Sequence, residues 1–156
     1  MITTILIDID DTLLDFKLCA KWSMEQAAKK MDLSLPGDTF AHFEKINSML
    51  LKSIERKEIT CEGIYGVRWN LVAQEMGIAL DGDEFERHFL DCLAISTINV
   101  DGALEILEYL SAKYKIYAAS NGPYTQQISR MSLAGMDKYL NGYFISEKIG
   151  YSKPSK

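Results

Sequence analysis

The sequence predicts an α/β protein in which a helical segment interrupts the sheet-forming part of the chain. A short apolar strand opens the chain at Thr3–Ile7, and an alternation of helices and strands resumes after residue 97. Between them, residues 17–96 show helical periodicity and no convincing strand. We therefore expect a core with a mostly parallel sheet, formed by residues 1–16 and 97–156, and an inserted all-α module of four helices formed by residues 17–96.

The predicted strands are short and apolar. Thr3–Ile7 is almost wholly apolar and rich in β-branched residues, which is typical of a central strand covered on both faces. Lys115–Ser120 has the same character, and Gly142–Ser146 is a candidate for a third strand. Two amphipathic helices are predicted in the same part of the chain, one over Asp101–Tyr114, with Asp101 as its N-cap, and one over Tyr124–Leu133.

The inserted module is predicted from its helical periodicity and its turn signals. Its aromatic residues, Trp69 among them, are expected in the helix-bundle core, and Arg56 and Arg68 are expected on exposed helix faces. Turns are indicated at Pro36-Gly37, Lys57-Glu58 and Asp81-Gly82. The predicted helices are Lys17–Met31, Thr39–Arg56, Cys61–Met76 and Asp83–Ile95.

Composition excludes several classes of protein. The net charge of -5 argues against a nucleic-acid polymer or an anionic membrane as the main partner. Three widely spaced cysteines without a C-x-x-C pattern predict reduced thiols rather than a disulfide framework or a zinc site. The sequence shows no signal-peptide pattern and no segment of membrane-spanning length, so a cytoplasmic location is expected.

Asp8 and Asp10 are the leading candidates for chemistry. They follow an apolar strand two residues apart, and residues two apart on a strand point the same way. Two neighbouring carboxylates repel each other unless a cation or a shared proton compensates. One could attack phosphorus while the other protonates the leaving oxygen, with Mg²⁺ reducing the repulsion from the phosphate. The alternative is a strand-to-helix turn in which Asp10-Asp11-Thr12 merely supply capping groups.

Two further motifs suit an anionic ligand. Ser120-Asn121-Gly122 ends the second strand and precedes a helix, a position where a hydroxyl and backbone amides can bind a phosphate oxygen. The same tripeptide is also a common turn. Lys153, near the end of the chain, could neutralise a phosphate as a point charge.

Taken in order, D-x-D-x-T, S-N-G and I-S-E-x-x-G-x-x-K-P resemble the haloacid dehalogenase (HAD) superfamily of phosphohydrolases. Asp8 and Asp10 match its first motif, Ser120 its second and Lys153 its third. The resemblance covers the whole chain and implies a Rossmann-like core with the helical segment as an inserted cap. The run Asp8–Phe16 is most similar to the nucleotidase-type subgroup, which acts on nucleoside monophosphates.

The resemblance also implies a role for each motif residue. Asp8 would be the nucleophile and a Mg²⁺ ligand, and Asp10 the general acid/base, with its backbone carbonyl on the metal. Ser120 and Lys153 would bind the phosphate. Asn121 and Gly122 would shape that loop, and Thr12 would steady Asp10 and the turn. The second aspartate favours phosphate chemistry, because dehalogenases of similar pattern lack it.

The expected substrate is a small phosphorylated metabolite, with a nucleoside 5'-monophosphate as the first choice. A sugar phosphate or phosphoglycolate is the alternative substrate, and a non-catalytic binding protein of the same fold is the alternative function. The family's fourth motif carries one or two acidic residues that complete the metal site, and it is absent before Lys156. We therefore expect this chain to be part of a longer enzyme, and the 156 residues alone to bind Mg²⁺ weakly and turn over slowly.

Overall fold

The computed structural model describes residues 2–154. Three strands and eight α-helices are found there, and a short 3-10 helix lies at Asp137–Tyr139. In chain order they are β1 (Thr4–Ile7), α1 (Phe16–Lys30), α2 (Thr39–Glu55), α3 (Cys61–Tyr65), α4 (Arg68–Met76), α5 (Gly82–Leu93), α6 (Ala103–Ser111), β2 (Lys115–Ser120), α7 (Tyr124–Leu133), β3 (Gly142–Ile145) and α8 (Ser146–Ile149).

The chain divides into two compact units, one formed by Met1–Ala20 and Leu93–Lys156 and the other by Lys21–Cys92. The first unit contains the sheet, whose strands are parallel and ordered β1-β2-β3. Parallel strands joined through helices confirm the α/β prediction. Because all three strands run the same way, their carboxyl ends lie at one edge of the sheet, where ligands bind in open α/β folds.

The core of this unit lies on one face of the sheet. Ile116 and Ala118 of β2 alternate with more exposed neighbours and pack with apolar residues of α6, α7 and the segment after β1. The buried residues of this cluster are Ile9, Leu13, Leu14, Ala103, Leu107, Ile116, Ala118, Met131, Met136 and Ile145.

Two details of this unit differ from the sequence prediction. Among residues 2–154 β1 pairs with β2, and Leu6 of β1 is 63% exposed, so the predicted coverage of both faces of this strand is not found there. α6 begins at Ala103, and its N-cap is Gly102, not Asp101. Gly102 has φ +78, a left-handed conformation that glycine adopts without steric cost.

The second unit is helical, but the predicted helix over Cys61–Met76 is two helices, α3 and α4. α3 starts with Thr60, whose hydroxyl accepts a hydrogen bond from the Gly63 N–H at 3.2 Å, and ends at Gly66. Val67 has non-helical backbone angles and separates it from α4. The four-helix prediction is therefore wrong by one break, since Gly63 and Gly66 weaken a segment that periodicity alone reads as continuous.

An aromatic cluster forms the core of the helical unit. The Trp69 ring lies 5.0 Å from Phe43 and 4.5 Å from Phe85, measured between centroids. Arg68, predicted to be exposed, is buried against Glu86: its Nε donates to Glu86 Oε2 at 3.2 Å, and its Nη1 donates to Asn47 at 2.9 Å. The guanidinium also lies 4.9 Å from the Phe89 ring centroid.

The three cysteines lie in separate helices and are not joined by disulfide bonds: Cys19 in α1, Cys61 in α3 and Cys92 in α5. Among the helices of residues 2–154, none is both long and apolar enough to cross a membrane.

Candidate active site

Asp8 and Lys153 meet at the carboxyl edge of the sheet. The register pairs Ile7 with Ala118, so Asp8 continues alongside Ala119 at the end of β2. The Lys153 Nζ lies 2.7 Å from Asp8 Oδ1 and donates to the Ala119 carbonyl at 2.9 Å. The Ile9 N–H donates to the same carboxylate oxygen at 2.8 Å. Both side chains are 47% exposed, so this ion pair faces solvent and is accessible to a ligand.

Asn121 holds the backbone of Lys153 through two hydrogen bonds. Its Nδ2 donates to the Lys153 carbonyl at 2.8 Å, and its Oδ1 accepts from the Lys153 N–H at 2.8 Å. One amide side chain therefore satisfies both backbone groups of a residue 32 positions away. This fixes Lys153 beside the Ser120-Asn121-Gly122 loop.

Asp10 is bound by two residues of α7 that the sequence analysis did not select. Gln127 Nε2 donates to Asp10 Oδ2 at 2.6 Å, and Arg130 Nη1 donates to Asp10 Oδ1 at 2.7 Å. Both α7 side chains are fully buried, whereas the Asp10 side chain is 29% exposed. The two aspartates therefore have separate cations, Lys153 for Asp8 and Arg130 for Asp10.

The Ser120 hydroxyl is connected to the same group. Its oxygen accepts from the Gly122 N–H at 3.0 Å and from Gln127 Nε2 at 2.8 Å. A side chain at position 122 would approach Gln127 closely, since an added Cβ would lie 2.8 Å from Nε2. Glycine therefore lets Gln127 reach both Ser120 and Asp10.

Glu147, in the I-S-E motif, fixes the start of α7. Its Oε2 accepts from the Tyr124 N–H, the first residue of the helix, at 2.6 Å. A carboxylate at a helix N-terminus satisfies an unpaired N–H and interacts favourably with the helix dipole. Glu147 thus anchors the helix that carries Gln127 and Arg130.

Thr12 lies in the turn after Asp10, and its side chain is exposed. Its N–H donates to the Ile9 carbonyl at 3.4 Å. Its hydroxyl makes no hydrogen bond to any other residue that the structure describes. In this structure Asp10 is held by α7 and not by the hydroxyl of Thr12.

The donor set at this edge suits a hard divalent cation that shares its coordination with a phosphate. The two contacts on Asp8 are both at Oδ1, which leaves Oδ2 for a ligand, and the main chain at Asp10 offers a carbonyl oxygen. Mg²⁺ is commonly bound by one or two protein oxygens together with water and substrate phosphate. Within residues 2–154 there is no group of three or more acidic, histidine or cysteine side chains that could hold a metal alone.

Comparison with known proteins gives the family of this chain. The family model described as "haloacid dehalogenase-like hydrolase" matches residues 2–156. The chain belongs to this family. Among its relatives, YfnB of Bacillus subtilis, described as a HAD-hydrolase, is 27% identical over 153 residues, and pyrimidine 5'-nucleotidase PynA of Streptococcus pneumoniae is 28% identical over 151 residues.

The relatives are longer than this chain. The alignments cover 98% and 96% of the chain but 65% of YfnB and 64% of PynA, so the chain spans about two thirds of the length of the curated relatives it matches. The crystal structure of YfnB, which has magnesium bound, matches with a TM-score of 0.90 and 26% identity over 98% of this chain and 67% of that one. The L-2-haloacid dehalogenase Rha0230 matches with a TM-score of 0.77 at 17% identity over 98% of this chain and 64% of that one, which shows the shared HAD fold.

The structure places the four motif residues in two hydrogen-bonded groups at the carboxyl edge of the sheet: Asp8 with Lys153, and Asp10 with Ser120 through Gln127. Gln127, Arg130 and Glu147 were given no role in the sequence analysis. A signal for the first two was present. Gln127, Arg130 and Met131 share the buried face of α7 at spacings of three and four, and two of them are polar. Polar residues on the inward face of a short amphipathic helix that follows a phosphate-loop pattern deserve consideration as site residues.

Proposed function

We propose that this HAD-family chain carries the catalytic motifs of a Mg²⁺-dependent phosphomonoester hydrolase that acts through an aspartyl-phosphate. The observation that carries the proposal is that the two aspartates differ in exposure and in the residues that bind them. Asp8 is exposed and forms an ion pair with an exposed lysine, whereas Asp10 accepts hydrogen bonds from two buried side chains of α7. One carboxylate is thus open to a ligand, and the other is fixed beside it.

In the first step, Asp8 Oδ2 attacks phosphorus and the bond from phosphorus to the leaving oxygen breaks. Protonated Asp10 gives its proton to that oxygen as the bond breaks, so the product leaves as a neutral alcohol. The Lys153 Nζ, 2.7 Å from Asp8 Oδ1, would meet the negative charge of the incoming phosphate. The Ser120 hydroxyl would donate a hydrogen bond to another phosphate oxygen.

In the second step, Asp10 takes a proton from water, and the water oxygen attacks phosphorus. The bond from phosphorus to Asp8 breaks, which releases inorganic phosphate and restores both carboxyl groups. A dehalogenase needs no acid to protonate a departing halide, so the presence of a positioned Asp10 supports phosphate transfer over dehalogenation.

The Asp8 carboxylate and the Asp10 carbonyl oxygen are the groups of this chain that would hold Mg²⁺. When bound, the ion supplies positive charge that offsets the repulsion between an anionic nucleophile and an anionic phosphate.

The proposed substrate is a small phosphorylated metabolite, with a nucleoside 5'-monophosphate as the first candidate. The similarity to pyrimidine 5'-nucleotidase PynA and the motif sequence support this choice. Sugar phosphates and phosphoglycolate remain the second class to test. We further propose that the helical unit, Lys21–Cys92, acts as the cap that selects among them, and that the protein works in the cytoplasm.

The decisive experiment is a phosphatase assay with Mg²⁺ on a protein that contains this sequence, using nucleoside monophosphates, sugar phosphates and phosphoglycolate. Asp8→Asn should reduce turnover by at least about a thousandfold, since it removes the nucleophile. It should also abolish the acid-stable, hydroxylamine-sensitive phosphoryl label that the wild type forms with ³²P-labelled substrate.

Asp101→Asn is the matched control, because Asp101 is exposed on the same unit and lies outside the site. It should retain wild-type turnover. Full activity of Asp8→Asn would refute the assignment of the nucleophile. Substrate binding without turnover by the wild type would instead favour the non-catalytic binding protein.

A further inference from the structure

Four polar side chains at the carboxyl edge of the sheet form a closed hydrogen-bond network, here called the Asp10 cluster: Asp10, Ser120, Gln127 and Arg130. Gln127 is its centre. Its Nε2 donates to Asp10 at 2.6 Å and to Ser120 at 2.8 Å, and its Oε1 accepts from Arg130 Nη1 at 3.0 Å. Every hydrogen-bonding group of this amide is therefore used inside the cluster.

The partners of Gln127 also determine which way its amide points. An ionised carboxylate only accepts hydrogen bonds and a guanidinium only donates them. The amide nitrogen must therefore face Asp10, and the amide oxygen must face Arg130. The reversed amide would place two oxygens together and two donors together, so the network has a single arrangement.

This arrangement has a consequence for Ser120. A serine hydroxyl has one proton to donate and two positions at which it accepts. Both accepting positions are occupied, one by the Gly122 N–H at 3.0 Å and the other by Gln127 Nε2 at 2.8 Å. The hydroxyl proton is thereby directed away from these two donors and is available to a phosphate oxygen.

The two cations of the site, Lys153 and Arg130, differ in how deeply they are buried. Lys153 and Asp8 are both 47% exposed, so their contact can open when a phosphate arrives. Arg130 is fully buried, and its Nε also donates to the Ser96 carbonyl at 3.3 Å. Separating a buried guanidinium from its carboxylate would leave an uncompensated buried charge, so Arg130 stays with Asp10.

We infer that Gln127 and Arg130 are positioning residues for phosphoryl transfer: they hold both oxygens of Asp10 in place for proton transfer, and Gln127 commits the Ser120 hydroxyl to donate to the phosphate. Each oxygen of Asp10 keeps a second lone pair, which can carry the proton that the reaction moves. This inference rests on the proposed function.

The test compares two substrates whose leaving groups differ in their need for a proton. A p-nitrophenolate departs without protonation, whereas the alkoxide of a nucleoside monophosphate needs a general acid. Gln127→Leu should lower kcat/KM for the nucleotide by about a hundredfold, the lower end of what general acids contribute. For p-nitrophenyl phosphate the loss should be only about fivefold, the part that comes from the Ser120 contact with the phosphate, which both substrates share. Gly122→Ala, which pushes a methyl group against Gln127, should show the same selectivity.

Two further variants separate positioning from a structural effect. Gln126→Leu makes the same change one position away on α7, where the side chain is only partly buried, and should leave both substrates unaffected. Arg130→Lys keeps the charge but loses the planar set of N–H donors of the guanidinium. The difference between its losses on the two substrates should therefore be smaller than in Gln127→Leu and larger than in the wild type. An equal loss on both substrates in Gln127→Leu would overturn the inference, and so would no loss on either.

A measurement without turnover tests the cluster itself. Asp10→Asn and Arg130→Met should each lower the thermal midpoint, and the double variant should lose less than the sum, because each single change leaves its partner unpaired. Additive losses would overturn the inference. Failure of the proposed function is seen separately, as full activity of Asp8→Asn on both substrates, and it would remove the positioning role with it.

Discussion

At the residue scale, the site depends on side chains that serve two neighbours at once. Asn121 binds both the N–H and the carbonyl of Lys153, and Gln127 binds both Asp10 and Ser120. Side-chain amides can do this because they carry a donor and an acceptor on one rigid group. The motif residues are thereby positioned by side-chain amides, which do not ionise and do not take part in the proposed bond changes.

Asn121→Ala should weaken the binding of inorganic phosphate by up to about thirtyfold, because it removes two hydrogen bonds that position Lys153, each worth about 1 kcal/mol. Calorimetric titration measures this directly. Asn70→Ala, which removes an exposed asparagine bonded to Asp83 in the helical unit, is the control and should bind phosphate normally.

Lys153→Met provides the contrast for that prediction. If Asn121 acts only through Lys153, then Asn121→Ala should have little further effect once the lysine charge is gone. Fully additive losses in the double variant would show that Asn121 contacts the phosphate loop in some other way.

At the scale of elements, α7 and the helical unit show how buried polar groups follow from packing. α7 begins where Glu147 accepts from Tyr124 N–H and buries Gln127 and Arg130 on its inner face. In the helical unit, α4 and α5 bring Arg68 and Glu86 together among aromatic rings. Burial raises the pKa of Glu86 above its ordinary value, and the neighbouring Arg68 opposes that rise.

Arg68→Met should destabilise the protein by about 3 kcal/mol or more at pH 8, because it leaves the Glu86 carboxylate buried without a cation. The loss should shrink as the pH falls toward 5. Loss of Arg68 raises the pKa of Glu86 further in the folded state, so the folded variant binds a proton more tightly than the unfolded chain and regains stability on acidification.

Urea unfolding at several pH values from 5 to 8 measures this difference. Arg87→Met is the matched control, since Arg87 is an exposed arginine on α5, next to Glu86. It should change stability by less than about 0.5 kcal/mol at any pH. A loss for Arg68→Met that is the same at pH 5 and pH 8 would contradict the assigned role of the Glu86 charge.

At the scale of the whole molecule, the HAD fold brings distant motifs to one edge of the sheet. Asp8, Ser120 and Lys153 lie far apart in sequence and meet because parallel strands end at the same side. Within residues 2–154, however, no group of three or more acidic, histidine or cysteine side chains could hold a metal. Phosphate is then expected to contribute ligands of its own.

Mg²⁺ should therefore bind the 156-residue chain weakly, with a dissociation constant of about 1 mM or higher, and at least about fivefold more tightly when phosphate is present. Calorimetric titration with Mg²⁺, with and without phosphate, tests this. Asp8→Asn should lose the phosphate-linked gain and Asp101→Asn should keep it. Tight binding without phosphate would mean that other groups complete the metal site.

The sequence by itself determined the family, the α/β class and the motif residues. A helix such as Tyr124–Leu133 was predictable because its periodicity and the preceding Pro123 are local properties. The motifs D-x-D-x-T, S-N-G and K-P indicated the site because they follow predicted strands. The carboxyl ends of parallel strands lie at the same edge of the sheet, however long the connecting segments are.

Only the tertiary structure decided which side chains form hydrogen bonds and ion pairs with the motif residues, and which surfaces are buried. Periodicity does not distinguish a buried Arg130 or Arg68 from an exposed arginine, because the outcome depends on whether a distant carboxylate faces the same position. An apolar run likewise predicted that both faces of β1 are covered, although Leu6 is exposed within residues 2–154. Local preference is encoded residue by residue, whereas burial and charge pairing arise from contacts between segments remote in the chain.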